Sequence, residues 1–321
     1  MTPYGYRYDK HAETGWDTVR LSLADAGREL AAAHVAPAMG SNLVSLQFEG
    51  QEYLYAQPTG SPFLGTPVLY PTPNRVRDAQ FVFEGRTFRF TPNNGPNFIH
   101  GLVRDQPWES VKPVITPESA SLTTRIAFEP GKRIYDLFPF RNTLELTFTL
   151  KPHSMRLAFL VRNQDNQPLP FGLAIHPYFP VIGPRESVRL QVPARKRMEA
   201  LNLLPTGRLI GLKGDPTDLR QPRLLTEVNL DDVFWGMEPD RPSVIYYDEI
   251  GKKLTLSASE LFTHAVVYTP QGKPFFCVEN QSCSTDAHNF YARGLIQEAH
   301  LTILEPGQAL AAWIEMAVSD Q

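Results

Sequence analysis

Short runs in which apolar and polar side chains alternate recur along almost the whole chain, separated by Pro, Gly, Asn and Asp. Val19-Arg20-Leu21-Ser22-Leu23 alternates cleanly and Asn42–Phe48 less strictly. Phe81-Val82-Phe83, Glu84-Gly85 and Arg86-Thr87-Phe88-Arg89-Phe90 read as a hairpin, with Gly85 free to take a positive φ in its turn. Further strand-like runs fall at Ala120–Phe128, 142–150, 155–162, 171–176, 187–192, Ser243–Tyr247, 254–258, 264–269, 275–279, 301–304 and 309–318. A period of two belongs to strands. The chain also holds 29 prolines in 321 residues, about 9% against a usual share of about 5%, and proline breaks helices. A helical bundle is excluded on that ground. Two weak helical candidates remain, 28–34 and 286–296, and the first reads better as an alanine-rich strand. The expected fold is all-β, a large antiparallel β-sandwich or barrel with few short helices. No repeat or linker stands out. The proline-rich stretches 58–73 and 205–222 are loop-sized and carry apolar anchors, so residues 1–321 read as a single domain.

Charge excludes several partners. Lys and Arg total 31, Asp and Glu 34, giving a net charge of −3, which offers nucleic acid or an acidic membrane no attraction. The first ten residues lack a basic stretch followed by an apolar one, and no run nears the roughly eighteen apolar residues of a membrane span. The expectation is a soluble cytoplasmic protein with no membrane partner. Two cysteines, Cys277 and Cys283, make neither a disulfide framework nor a four-thiolate zinc site, and reduced thiols are expected. Asn280-Gln281-Ser282 is a formal glycosylation acceptor, set aside because no secretory signal accompanies it.

Three places offer chemistry. His176 ends the run Phe171-Gly172-Leu173-Ala174-Ile175-His176, where alternation puts Gly172, Ala174 and His176 on one face. The two small residues would leave room against that face, and Pro177 limits further pairing, as at a strand end beside a cleft. Read from spacing alone, His176 is as readily a histidine that finishes a strand at the surface. His100 follows the loop 91–96, in Asn97-Phe98-Ile99-His100-Gly101. Glu279 closes Phe275-Phe276-Cys277-Val278-Glu279; a buried carboxylate there needs a partner and becomes a usable base, whereas an exposed one is an ordinary strand end. Asp231-Asp232 before Val233-Phe234-Trp235 offers acceptors or a plain turn, and Asn74-Arg75 offers donors to hydroxyls or phosphate, or a solvated arginine. No phosphate loop, Gly-x-Ser-x-Gly elbow or His-Glu-x-x-His is present. His100 and His176 with a carboxylate have the donor types of a metal site, but their spacing does not argue for one. No metal is expected.

Taken in order, these segments resemble the aldose 1-epimerase (galactose mutarotase) family over most of the chain. Asn74-Arg75-Val76 is similar to its Asn-Arg-Ile segment, and His100-Gly101 follows 25 residues later, with Trp108 beyond. His176-Pro177-Tyr178-Phe179 resembles its His-x-Tyr-Phe motif. Leu204-Pro205-Thr206-Gly207 leads to Leu230-Asp231-Asp232, as the family's Pro-Thr-Gly leads to a substrate-binding aspartate. Val278-Glu279-Asn280-Gln281 with Asp286-Ala287-His288-Asn289 resembles Glu-x-Gln and Asp-Ala-x-Asn, and Glu305-Pro306-Gly307 follows. The opening 37–46 segment is a weaker match. Tyr70-Pro71-Thr72-Pro73 replaces the usual Gly-Arg, and the run from His100 to Trp108 instead resembles the sister hexose-6-phosphate 1-epimerases.

The resemblance implies a galactose mutarotase-like supersandwich and interconversion of the α and β anomers of a hexose by ring opening, without metal or organic cofactor. It implies Glu279 as base at the anomeric hydroxyl and His176 as acid at the ring oxygen. His100, Arg75, Asp231 and Asn74 would bind the sugar, with Asp231 preferred over Asp232, and Trp235, Phe179 and Phe98 are candidate aromatic walls. Reference pKa values of about 4.3 and about 6.5 would leave the glutamate ionised and the histidine able to carry a proton near neutrality. The rivals are a phosphosugar epimerase, with Arg75, Arg77 and Arg104 converging on a phosphate, and a non-catalytic sugar-binding protein on the same fold. A hydrolase or lyase would need a second catalytic carboxylate or another base, to which nothing points.

Overall fold

The computed structural model describes residues 3–56 and 64–321; positions 58–63 of the proline-rich 58–73 stretch lie outside the described residues. Strands dominate, and the α-helices among the described residues are the short Arg133–Leu137, Ala287–Ala292 and Ile296–Ala299. The all-β antiparallel expectation holds. Tyr4–Lys10, Asp17–Asp25, Arg28–Ala36, Asn42–Phe48 and Gln51–Glu52 form a five-stranded meander, so the alanine-rich 28–34 run is a strand. A ten-stranded sheet carries Ala120–Phe128, Asn142–Lys151, Ser154–Asn163, Ala309–Asp320, Lys252–Ala258 and Ser243–Tyr247 side by side. An eight-stranded sheet runs Leu204–Gly211, Lys196–Leu201, Asp231–Trp235, His264–Tyr268, Phe275–Gln281, Ala174–Ile175 and Val68–Leu69, with Tyr178–Pro180 also on Phe275–Gln281. One apolar cluster runs through all three, from Leu21 and Leu46 through Leu146 and Ile314 to Phe276 and Phe234.

Several local readings need correction. The 171–176 run is not one strand: Leu169–Phe171 pairs with Thr302–Leu304, the chain breaks at Gly172, and Ala174–Ile175 joins the other sheet. A Cβ on Gly172 would sit 2.3 Å from the Cys283 sulfur and 2.6 Å from Pro73. Its smallness therefore serves protein packing and leaves no room for a ligand. The stretch 205–222, read as loop-sized, begins inside the strand Leu204–Gly211, whose edge position lets it carry Pro205 and Gly207. The helical reading of 286–296 contracts to Ala287–Ala292, with a separate turn at Ile296–Ala299. Asp231 and Asp232 open a strand rather than sit in a turn. The 80–89 hairpin forms as read, with both Glu84 and Gly85 at positive φ. Cys277 and Cys283 are buried and free. No helix among the described residues is long and apolar enough to cross a membrane.

Candidate active site

One face of the eight-stranded sheet forms the floor of a cavity of about 430 Å³, within the ~300–1,000 Å³ usual for small-molecule sites. Sheet register lines up its side chains. Asp231 pairs with Tyr268, Tyr268 with Cys277 and Cys277 with Tyr178, which makes one row across four strands. Val266 and Glu279 make the next row. The pairs Ala174 with Gln281 and Tyr178 with Cys277 put His176 opposite Glu279, at a point where the ladder lapses and the His176 N–H instead donates to the Pro67 carbonyl at 2.9 Å.

Loops close the other side. Phe98–Ile99 pairs with Arg75–Val76, and the His100 N–H donates to the Asn74 carbonyl at 2.9 Å. His100 takes φ 72° and Asn74 φ 54°, left-handed backbone that side chains rarely adopt and that recurs at functional sites. Gly101 follows at φ 68°, where a Cβ would lie 2.4 Å from the Tyr70 carbonyl oxygen; only glycine fits.

His176 Nε2 lies 3.2 Å from Glu279 Oε1, with the two residues 7% and 2% exposed. The His176 ring stacks on Tyr178 at 4.6 Å and meets His100 edge-on at 5.1 Å. The Gln281 amide donates to Glu279 Oε2 at 3.1 Å. Arg75 donates to Asn74 Oδ1 at 3.2 Å and to Asn94 Oδ1 at 3.1 Å, and its guanidinium stands 3.8 Å from Asp231. Asp232, one residue on and so on the opposite face, faces Arg197 at 3.9 Å.

Burial reverses the reference pKa argument. It pushes the Glu279 carboxyl well above its usual range, with Asp231 adding to the rise and Gln281 and Arg75 offsetting only part. It lowers His176 to about 3, helped by Arg104, and takes His100 well below its ordinary value, helped by His176 and Arg104. Asp231 is raised by burial, against the pull of Arg75. Two separate buried charges would be costly, and burial accordingly disfavours the charged form of each group, with His176 Nε2 and Glu279 Oε1 3.2 Å apart.

All six expected site residues, Glu279, His176, His100, Arg75, Asp231 and Asn74, line this cavity. The proposed aromatic walls do not: Phe179 and Phe98 pack in the core against Phe276 and Phe90, and Trp235 points to Lys196 and the Gln297 carbonyl. Tyr178 and Tyr268 line it instead. Period two along 264–268 puts Val266 and Tyr268 on one face, a signal the sequence contained. Leu203 arrives from a hairpin turn that alternation does not reveal. Arg104 lines the cavity and its guanidinium has no bonded partner among the described residues. Arg77 is held by Asp286 and the Pro205 carbonyl, away from it. A larger groove, of about 710 Å³, borders the N-terminal sheet, but its half-buried Glu52 is engaged by Ser45, Gln47 and three backbone N–H groups. No group of three His, Cys, Asp or Glu among the described residues is arranged to hold a metal.

Comparison with known proteins agrees with this architecture. The chain is 28% identical to the galactose mutarotase of Sus scrofa over 218 residues, 64% of this chain and 59% of that protein's length. A galactose mutarotase-like protein from Clostridium acetobutylicum superposes with a TM-score of 0.84 at 18% identity, covering 99% of this chain and 98% of its own. A Synechocystis protein superposes with a TM-score of 0.77 at 26% identity, covering 98% and 100%. The aldose 1-epimerase family model matches residues 27–317. The chain belongs to the aldose 1-epimerase family.

Proposed function

We propose that this protein interconverts the α and β anomers of a hexose by acid–base ring opening and reclosure, with Glu279 and His176 as the proton-transferring pair. The observation that carries the reading is the 3.2 Å approach of His176 Nε2 to Glu279 Oε1 at the floor of a polar cavity. Ring opening removes a proton from the anomeric hydroxyl and delivers one to the ring oxygen. A pair that shares a single proton can do both, the carboxylate taking one as the imidazolium gives the other, and reclosure reverses the roles. No cofactor is called for. His100 and Asn74 flank the ring, while Arg75 and Asp231 offer a donor and an acceptor to hydroxyls at the far end. Tyr178 and Tyr268 supply apolar surface for a sugar face. We read residues 1–321 as one domain, supported by the large core cluster that joins the three sheets, and take it to be cytoplasmic.

Arg104 favours a second reading, in which the sugar carries a phosphate: an unpaired guanidinium at the cavity wall suits an anion. Arg75 and Arg104 face the cavity and Arg77 does not, so two of the three arginines are available. NMR exchange spectroscopy on equilibrated aldoses and hexose 6-phosphates separates the two. Faster α/β exchange of neutral sugars supports the first reading, exchange confined to phosphosugars supports the second, and no acceleration of either by folded protein refutes both.

A further inference from the structure

Glu279 has two oxygens, and they stand in different surroundings. Oε1 faces His176 at 3.2 Å, whereas Oε2 accepts the Gln281 amide N–H at 3.1 Å. Gln281 is fully buried, two residues along the same strand and therefore on the same face, behind the glutamate. When Glu279 is ionised, as a base must be, turning the amide over would set its carbonyl oxygen against a carboxylate oxygen, so the donor orientation is the one the ionised base supports. We propose that Gln281 is a positioning residue that occupies Glu279 Oε2 and so confines proton transfer to Oε1, the oxygen beside His176. This rests on the reading of Glu279 as the base.

The two carboxylate oxygens compete for the proton. A carboxylate free at both oxygens takes its proton on either, and a proton on Oε2 is of no use to a sugar or imidazole at Oε1. An N–H donor on Oε2 removes that alternative. Because the donor is neutral, it favours the ionised form without the strong stabilisation of a lysine or arginine, which would leave Glu279 a weak base. The groups facing Glu279 come from several elements: His176 and Tyr178 from the 174–180 segment, Asp231 and Tyr268 from the neighbouring strands, Arg75 and His100 from the loops, and Cys277 from its own strand. Arg104 stands at the cavity wall, and His264 lies opposite Gln281 in register. Of these, Gln281 alone is hydrogen-bonded to Oε2 among the described residues.

The test uses the full chain with glutamate labelled at the side-chain carboxyl carbon, Glu279 being assigned by the resonance lost in Glu279→Gln. In Gln281→Met, which keeps length and removes the donor, the Glu279 titration midpoint should rise by about one pH unit. On the sugar that the exchange panel identifies, kcat should fall roughly tenfold while KM stays within about twofold, since an interaction with the reacting group alone is lost. An unmoved midpoint with unchanged kcat overturns the proposal. A moved midpoint in a protein that accelerates no sugar retains the Gln281–Glu279 coupling and removes the functional reading instead. Should Gln281→Met not fold, the wild-type Gln281 side-chain amide signal is followed by nitrogen-15 NMR. It must shift with the Glu279 midpoint, and one that stays fixed contradicts the proposal.

Discussion

Burial pulls the two groups at the cavity floor in opposite directions, and the consequence is a pH dependence unlike that of either residue in water. His176 is lowered to about 3 and Glu279 is raised well above its usual range, so one shared proton stays on the pair across the interval between. On the proposed mechanism acidification would inactivate by adding a second proton, which the imidazole resists until far below its ordinary value, and alkalinity would inactivate by removing the shared one, above the ordinary glutamate range. For a neutral sugar, kcat/KM should hold within about twofold from pH 7 down to about pH 5, with no fall centred on the free-histidine value of about 6.5. A pH–rate profile dropping through 6.5 would show that His176 titrates as a solvated imidazole. The sequence singled out both residues as candidates, and their pairing as base and acid came only from the family resemblance. Its electrostatics were not, since burial depends on the Pro67 contact and on strands distant in sequence.

Among the elements, the six-residue helix Ala287–Ala292 matters to the site through the residue before it. The Asp286 carboxylate accepts the Arg77 N–H at 2.9 Å and the Asn289 amide at 2.7 Å, while its own N–H donates to the Arg75 carbonyl at 2.9 Å. It thereby ties the segment that carries Arg75 into the cavity. Asp286→Ala leaves the half-buried Arg77 N–H without its acceptor, which should cost about 1 kcal/mol in urea unfolding. It should also raise KM about tenfold, equivalent to about 1.4 kcal/mol of lost binding. Asp286→Asn, retaining an acceptor, should recover most of both. Equal KM in the alanine variant and the wild type would mean that Arg75 is held without it. Strands at this scale were legible where alternation was uninterrupted, as at Ala120–Phe128 and Ser243–Tyr247. They were hidden where proline and glycine fall on an edge strand, as at Leu204–Gly211, or where one apparent run divides between two sheets at Gly172.

Across the whole molecule, scaffold and site are separable. Ile314 is fully buried on the strand Ala309–Asp320, flanked by Ser154–Asn163 and Lys252–Ala258, and it touches no part of the cavity. Ile314→Ala should lower unfolding free energy by about 2–5 kcal/mol while leaving anomerisation at 25 °C unchanged per folded molecule. A loss of activity without loss of stability would contradict that separation. The sandwich itself followed from alternation and proline density, because antiparallel sheets covered on one face print their burial pattern on the sequence. How distant strands meet to join Asp231, Tyr268, Glu279 and His176 is a property of sheet order, which a period of two does not encode. The most direct test of the central claim is the optical rotation of freshly dissolved α-D-galactose and α-D-glucose followed at pH 7 with wild type and with Glu279→Gln. Wild type should speed the approach to equilibrium, and the folded variant should be slower by on the order of 10²–10⁴. A Glu279→Gln protein as fast as wild type would contradict the account.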